Sequence, residues 1–364
     1  MRSYTVINLR NDRIMNVVYL TGKQRKQFLN FRRKLYKSDE NYVSTSEFVF
    51  EDILFQKTAF TKSCFVAPIL IEDEGSFVAG AIFVYHKNLP YLQVAFFEAL
   101  ENQRIAVDLL LSEAKKQAKK WELSKLVIGL NGHISYGVGI LSQGFDFKNS
   151  FDSLYNKSYY KDYFQGYRKQ TLSTYYHEKV PSEVALIQPR KGITIRYADM
   201  KNFKMEMELM WKLCEQTISK TFLYFPTQKE HFYELMKDLK PFLKAENLLF
   251  AEDDKGNAVG FMFWHPDYNQ VLKGGCNHSI LKIALAYFLK NKQIDTVKIN
   301  AIGSLSPYAT TALLHKFSDI TGRRYRMVET NFVWDNNIRS SRLNERFFGP
   351  PHRKYEVYFL DEVD

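Results

Sequence analysis

Between Arg323 and Lys354 eight basic side chains (Arg323, Arg324, Arg326, Arg339, Arg342, Arg346, Arg353, Lys354) stand against three acids (Glu329, Asp335, Glu345). Such a stretch can neutralise phosphate, of a nucleic acid or of a small cofactor, or it can be a solvated basic face. Other reactive residue types are scattered. The eight histidines form no HxxxH or HExxH pair, which argues against a metal centre, so no metal ligand is expected. Neither a G-x-S-x-G elbow nor a Walker loop occurs, and the glycines of LNGHISYGVG lack phosphate-loop spacing. Gly274 and Gly275 beside Cys276 suggest a reactive thiol only if a base is positioned next to it.

The three cysteines, Cys64, Cys214 and Cys276, lie far apart without CxxC spacing, which points to a reducing compartment. Arg2, Arg10, Asp12 and Arg13 interrupt the start of the chain where a signal peptide needs an apolar core. No run approaches the ~18 apolar residues of a membrane span, so the expectation is a cytoplasmic protein with no membrane partner. With 364 residues, 45% hydrophobic and 25% charged, the composition is that of a globular chain long enough for two or three domains. The net charge of +11 makes a polyanionic partner conceivable, nucleic acid included.

Whatever chemistry exists must be positioned by the elements the pattern predicts. GSFVAGAIFVYHKN and GNAVGFMFWHPDYN echo one another, with Gly80 matching Gly260 and Phe83 matching Phe263. Around each copy the order of elements recurs. In the first half, a helical stretch at 21–57 precedes the hairpin SCFVAPILIEDEG/SFVAGAIFVYH, the strand LPYLQVAFFEAL, the amphipathic helix ENQRIAVDLLLSEAKKQAKKW and the strand LSKLVIGL, with TLSTYYHE completing the unit. In the second half come KNFKMEMELMWKLCEQT and TQKEHFYELMKDLKPFL as helices, then the hairpin NLLFAEDDKG/NAVGFMFWH. DTVKINAIG is a strand, PYATTALLHKFSDITG a helix, RMVETNFVW a strand, DNNIRSSRLNERFFG a helix and KYEVYFL the last strand. A helix near Ser279 to Asn291 has no counterpart in the first half. Two domains, 1–180 and 181–364, are expected, linked near Glu178 to Gly192 where two prolines break the pattern.

This order resembles the GNAT acyltransferase fold used twice, and the chain resembles bacterial two-lobed GNAT-like N-acetyltransferases. The likeness is carried by FFEALENQ (Phe96 to Gln103), GILSQGFD and YNKSYY in the first half, and by GFMFWHPDYN, WDNN and FFG followed by KYEVY in the second. It implies an α/β (α+β) architecture of two lobes, each a mixed, mostly antiparallel sheet flanked by helices.

The resemblance also implies site residues. Acyl-CoA pyrophosphate would lie on backbone N–H groups where a strand turns into a helix, since unpaired amides and the helix dipole favour an anion. In the second half this places the cofactor against Ala301, Ile302, Tyr308, Ala309, Thr310 and Thr311, with Asn337 and Arg339 nearby in role. ENQRIA and SLSPYATTALL both depart from the family's Q/R-x-x-G-x-G/A loop. Tyr163, seven residues after Asn156, matches the tyrosine that would protonate the leaving thiolate, whereas Asn344 stands at that place in the second half. Glu98 and Glu329 are the strand carboxylates that would deprotonate an ammonium. His265 and Asp267 look like the loop beneath the acceptor site, or a proline-shaped turn.

The function so implied is acyl-CoA-dependent N-acyl transfer, with acetyl-CoA or another acyl-CoA as co-substrate, a small-molecule or peptide amine as acceptor, and one lobe degenerate. Two alternatives stay open: an inactive GNAT-like fold that binds a ligand or partner, and an aminoacyl-tRNA-dependent transferase, which the positive charge would suit. Nothing in the residues identifies the acceptor or the oligomeric state.

Overall fold

The computed structural model describes residues 4–8, 14–44, 47–178, 192–275 and 278–361. Cys276 and most of the expected linker lie outside the described residues, as does the expected boundary at 180/181. The chain forms two compact units. The first comprises Met1–Thr171, Lys273–His278 and Lys354–Asp364; the second comprises Leu172–Leu272 and Ser279–Arg353.

In the first unit the strands are β1 (Tyr4–Asn8), β2 (Ile14–Tyr19), β3 (Phe65–Asp73), β4 (Ser76–Tyr85), β5 (Leu92–Ala99), β6 (Lys125–Ile128) and β7 (Ile140–Gln143). They run in the order β1-β2-β3-β4-β5-β6, all antiparallel except β5 beside β6. The helices are α1 (Lys26–Tyr36), α2 (Glu47–Phe55), α3 (Ala59–Ser63), α4 (Arg104–Lys120) and α5 (Tyr160–Tyr163). The helical stretch expected at 21–57 is thus two helices, and the β1–β2 pair ahead of it gave no recognised signal. α4 sets Ala106, Val107, Leu110, Ala114 and Ala118 at helical spacing against Ile69, Ala81 and Phe83 of the sheet.

In the second unit the strands are β8 (Arg168–Glu178), β9 (Ile193–Tyr197), β10 (Leu248–Asp253), β11 (Ala258–Pro266), β12 (Thr296–Ser304), β13 (Met327–Thr330) and β14 (Val333–Trp334). The order is β8-β13-β12-β11-β10-β9, with β12 and β13 parallel. Its helices are α6 (Phe203–Thr217), α7 (Lys229–Lys237), α8 (Ile280–Lys290), α9 (Pro307–Thr321) and α10 (Ile338–Phe348). RMVETNFVW, expected as one strand, breaks at Asn331, whose amide donates to the Asn300 carbonyl at 2.8 Å.

The internal repeat holds at the level of register. Gly80 pairs with Leu70 and Glu98, and Gly260 with Ala251 and Ser304. Three residues on, Phe83 pairs with Ala67 and Val94, and Phe263 with Leu248 and Ala301. A Cβ at Gly80 would lie 2.7 Å from the Ile69 carbonyl, and one at Gly260 would lie 3.1 Å from that of Gly303. Close backbone approach therefore explains why glycine recurs there.

Two strands pair differently from the expectation. TLSTYYHE, read as the end of the first half, lies in β8, which pairs antiparallel with β13 and β14 of the second unit. KYEVYFL, read as the last strand of the second half, lies in β15 (Pro351–Asp361), whose Tyr358, Phe359 and Leu360 pair with Ile128, Val127 and Leu126 of β6. Both sequences alternate as half-buried strands do, but alternation fixes which face is buried and not which partner is chosen. A fragment ending at residue 180 therefore lacks the strand that covers β6. We expect it to give no cooperative thermal transition by circular dichroism, whereas a fusion restoring 351–361 after a flexible linker regains one.

Candidate functional site

In the first unit, the parallel pairing of β5 with β6 ends at Val94 and Ile128, and β5 runs on to Ala99 beside β4 alone. Phe96 takes φ +47° there, a conformation few non-glycine residues adopt. This opening is filled from within. The Phe96 N–H donates to Asn131 Oδ1 at 2.8 Å. Tyr160 Oη accepts the Ala99 N–H at 2.9 Å and donates to Glu98 Oε2 at 2.7 Å. Tyr163 Oη donates to the Leu100 carbonyl at 2.6 Å and accepts the Gln103 N–H at 3.0 Å.

Tyr163 therefore binds the turn where the resemblance places pyrophosphate. Burial raises its pKa first of all, which keeps the proton on an oxygen already committed to the Leu100 carbonyl. Arg104 donates from Nη1 to the Tyr163 carbonyl at 2.6 Å, which draws the guanidinium onto the same segment. Glu98 is equally occupied. Arg32 Nε donates to its Oε1 at 2.7 Å, and Tyr36 Oη donates to its Oε2 at 2.7 Å. Arg32 and Glu98 are both buried, and the guanidinium carbon lies 4.8 Å from the Phe50 ring centroid. A carboxylate paired this completely is a structural ion pair; it has no spare oxygen with which to take a proton from a substrate.

In the second unit the equivalent opening differs. β12 pairs with β13 as far as Ile299 and Thr330, then continues to Ser304 along β11. Asn331 holds the mouth through its amide on the Asn300 carbonyl and its N–H on the Ile299 carbonyl, the latter at 2.8 Å. Ala301 and Ile302 follow on β12, both partly exposed.

Just before this opening the register aligns four polar side chains across four strands. His265 of β11 pairs with Lys298 of β12, Lys298 with Glu329 of β13, and Glu329 with Tyr176 of β8. Directly paired residues share a face, so the row lies on one side of the sheet. That is the side on which Phe261 and Phe263 pack against α6. His265, Lys298 and Glu329 are each no more than 2% exposed. Glu329 Oε1 is buried and has no hydrogen-bond partner among the described residues. A buried polar atom left so calls for a partner such as a water, an ion or a ligand. His352 stacks on Tyr176 with ring centroids 4.9 Å apart.

His265 Nδ1 lies 3.0 Å from the Pro266 carbonyl, which assigns the ring proton to Nδ1 and leaves Nε2 as the acceptor. Burial, then the neighbouring Lys298 charge, press its pKa down to about 3. An imidazole that weakly basic does not hold a proton near neutrality. The depressed pKa also has a stability consequence. The unfolded chain protonates this histidine near pH 6.5 while the folded one resists until about 3, so stability falls as pH drops through that window. The slope from this group is up to about 1.4 kcal/mol per pH unit. Urea midpoints measured from pH 7 to pH 4 should fall less steeply in His265→Gln than in the parent.

Asp267 lies beyond this row. Its Oδ1 accepts the Asn269 N–H at 3.1 Å, so one carboxylate oxygen shapes the turn at Tyr268–Val271. At the start of α9, Pro307 has no N–H, the Tyr308 N–H is capped by Ser306 Oγ at 3.3 Å, and the Thr310 N–H returns to the Ser306 carbonyl at 3.2 Å. The Thr311 hydroxyl donates to the Pro307 carbonyl at 3.1 Å, and Ala309 is fully buried. These four residues thus form a turn largely satisfied by itself, a poorer anion cradle than an uncapped helix start. Asn337 caps α10, its Oδ1 accepting the Ser340 N–H at 3.2 Å, and Arg339 is exposed in the first turn.

The sequence reading missed Lys298, Tyr176 and His352. The strand DTVKINAIG does place Lys298 and Asn300 among apolar residues, which is a signal. Tyr176 was hidden because its strand was assigned to the first half.

No protein-family model and no curated protein sequence matches the chain. Solved structures do. A tandem GNAT protein from the clavulanic acid biosynthesis pathway aligns over 100% of this chain and 99% of its own, with TM-score 0.54 and 11% identity. A GCN5-related N-acetyltransferase from Anabaena variabilis covers 96% of this chain and 73% of its own, with TM-score 0.52 and 10% identity. A probable N-acyltransferase from Enterococcus faecalis covers 96% and 71%, with TM-score 0.51 and 10% identity. The fold is that of a tandem GNAT protein, an α/β architecture built on mixed, mostly antiparallel sheets.

Proposed function

We propose that the chain is an acyl-CoA-dependent N-acyltransferase whose chemistry belongs to the second unit, the first being a degenerate lobe. The observation that carries this reading is Glu329, a buried strand carboxylate with an unpartnered oxygen, one residue before β12 and β13 part. In this reading the acyl group enters along the free edge at Ala301 and Ile302, and Glu329 accepts the proton of the acceptor ammonium. The neutral amine then attacks the thioester carbonyl, a tetrahedral oxyanion forms and collapses with cleavage of the C–S bond, and the leaving CoA thiolate takes up the proton that the new amide nitrogen sheds. Lys298 and the Nε2 of His265 order the acceptor beside Glu329. Because α9 begins with a proline and a capped amide, the cofactor phosphates depend on basic side chains, Arg339 first among them. The acceptor is a primary amine on a small molecule or peptide, and the reaction needs no metal.

A specific observation favours the rival of a non-catalytic binding protein: neither helix start offers the open amide cradle expected of the fold. Calorimetric titration with acetyl-CoA decides between them. The transferase reading predicts saturable binding at micromolar ligand, unchanged in Tyr163→Phe and weakened about tenfold in Arg339→Ala. Absence of heat up to millimolar acetyl-CoA would leave the binding-protein reading, and RNA binding that falls steeply with salt would select the tRNA-dependent alternative.

A further inference from the structure

The helix α8 is the element without a counterpart in the first unit, and it is apolar on two sides. Ile283 is buried, and Tyr287 packs edge-on against Tyr268 with centroids 4.8 Å apart. On the other side Leu281 is 81% exposed, Leu285 58%, Phe288 78% and Leu289 68%. The spacing of four, three and one places these side chains in a single stripe. No helix among the described residues is long and apolar enough to cross a membrane. A helix buried on one apolar side and bare on another presents the kind of exposed apolar patch that marks an interaction surface.

Charge identifies what. The segment from Ser279 to Ile294 contains Lys282, Lys290 and Lys292 and no acid, in a chain of net charge +11. Lys282 and Lys290 are exposed on the helix itself. A second copy docked on the stripe would bring the exposed lysines of the two helices together as like charges. An apolar stripe flanked by lysines is instead the arrangement of a helix lying in the headgroup region of a bilayer, with leucine and phenylalanine among the acyl chains and lysines at lipid phosphates. We propose that α8 docks the protein on an anionic phospholipid surface. The sequence expectation of no membrane partner rested on the absence of a spanning segment and did not address this mode.

The test is co-sedimentation of the full chain with phosphatidylcholine vesicles, with and without phosphatidylglycerol. The parent should sediment with the anionic vesicles and stay in solution with the neutral ones. Leu285→Glu combined with Phe288→Glu should abolish sedimentation, and Lys290→Glu should weaken it at least about fivefold, the effect of one lysine near an anionic surface. Ile105→Glu, an exposed apolar site in the first unit, should sediment as the parent does. A parent that stays in solution with anionic vesicles overturns the proposal. So does sedimentation that survives the double substitution, and so does a parent that light scattering shows to be a dimer and that the double substitution renders monomeric.

Discussion

Glu329→Gln should lower kcat/KM for acyl transfer by about 10²- to 10⁴-fold, the usual contribution of a positioned general base. Acetyl-CoA affinity should stay close to that of the parent. The amide keeps the volume of the carboxylate and breaks no hydrogen bond at Oε1, which makes none among the described residues. It removes the ability to accept a proton, together with the negative charge beside the buried Lys298. The pH profile should report the same loss: the residual activity of the variant should rise with pH as the acceptor amine deprotonates in solution, and that rise should be steeper than in the parent. A variant that keeps full turnover would remove Glu329 from the chemistry. One that unfolds would make the residue structural.

Glu98→Ala should do the reverse. It leaves Arg32 buried with a charge that no carboxylate neutralises, and removal of one partner from a buried ion pair costs about 3–5 kcal/mol. Two buried tyrosine hydroxyls, those of Tyr36 and Tyr160, lose their acceptor as well. The urea midpoint of the variant should therefore fall sharply, while turnover per folded molecule stays near that of the parent. Pairing Glu98→Leu with Arg32→Met, which removes both charges, should recover much of the loss. Loss of turnover without loss of stability would move the chemistry to the first unit.

These two glutamates show what the sequence could and could not convey. Each stands near the end of an apolar strand before a turn, so local pattern nominated both with equal force. Their difference lies in what reaches them from far along the chain. Arg32 and Tyr160 are 66 and 62 residues away from Glu98 in sequence, and no periodicity announces such meetings. The hairpins, the matched glycines and the order of helices were legible because each depends on neighbours within a few residues. Partner choice was not: β8 and β15 alternate like any half-buried strands, and which sheet they join is decided by edges exposed elsewhere. Lys298 went unnoticed for a related reason. A lone lysine in a strand reads as solvated until the sheet is seen to bury it.

The fold also qualifies the resemblance from which the site was first drawn. Tyr163 stands where a thiolate acid was expected, yet its hydroxyl closes the turn at Leu100 and Gln103. Its contacts are those of a residue that holds a turn closed.

The central claim, that acyl-CoA binds in the second unit and not the first, is tested most directly by hydrogen–deuterium exchange with and without acetyl-CoA. Binding in the second unit should give new protection along 300–304, at the free edge of β12, and none along 96–106. Protection along 96–106, or no change in either segment at saturating ligand, would contradict it.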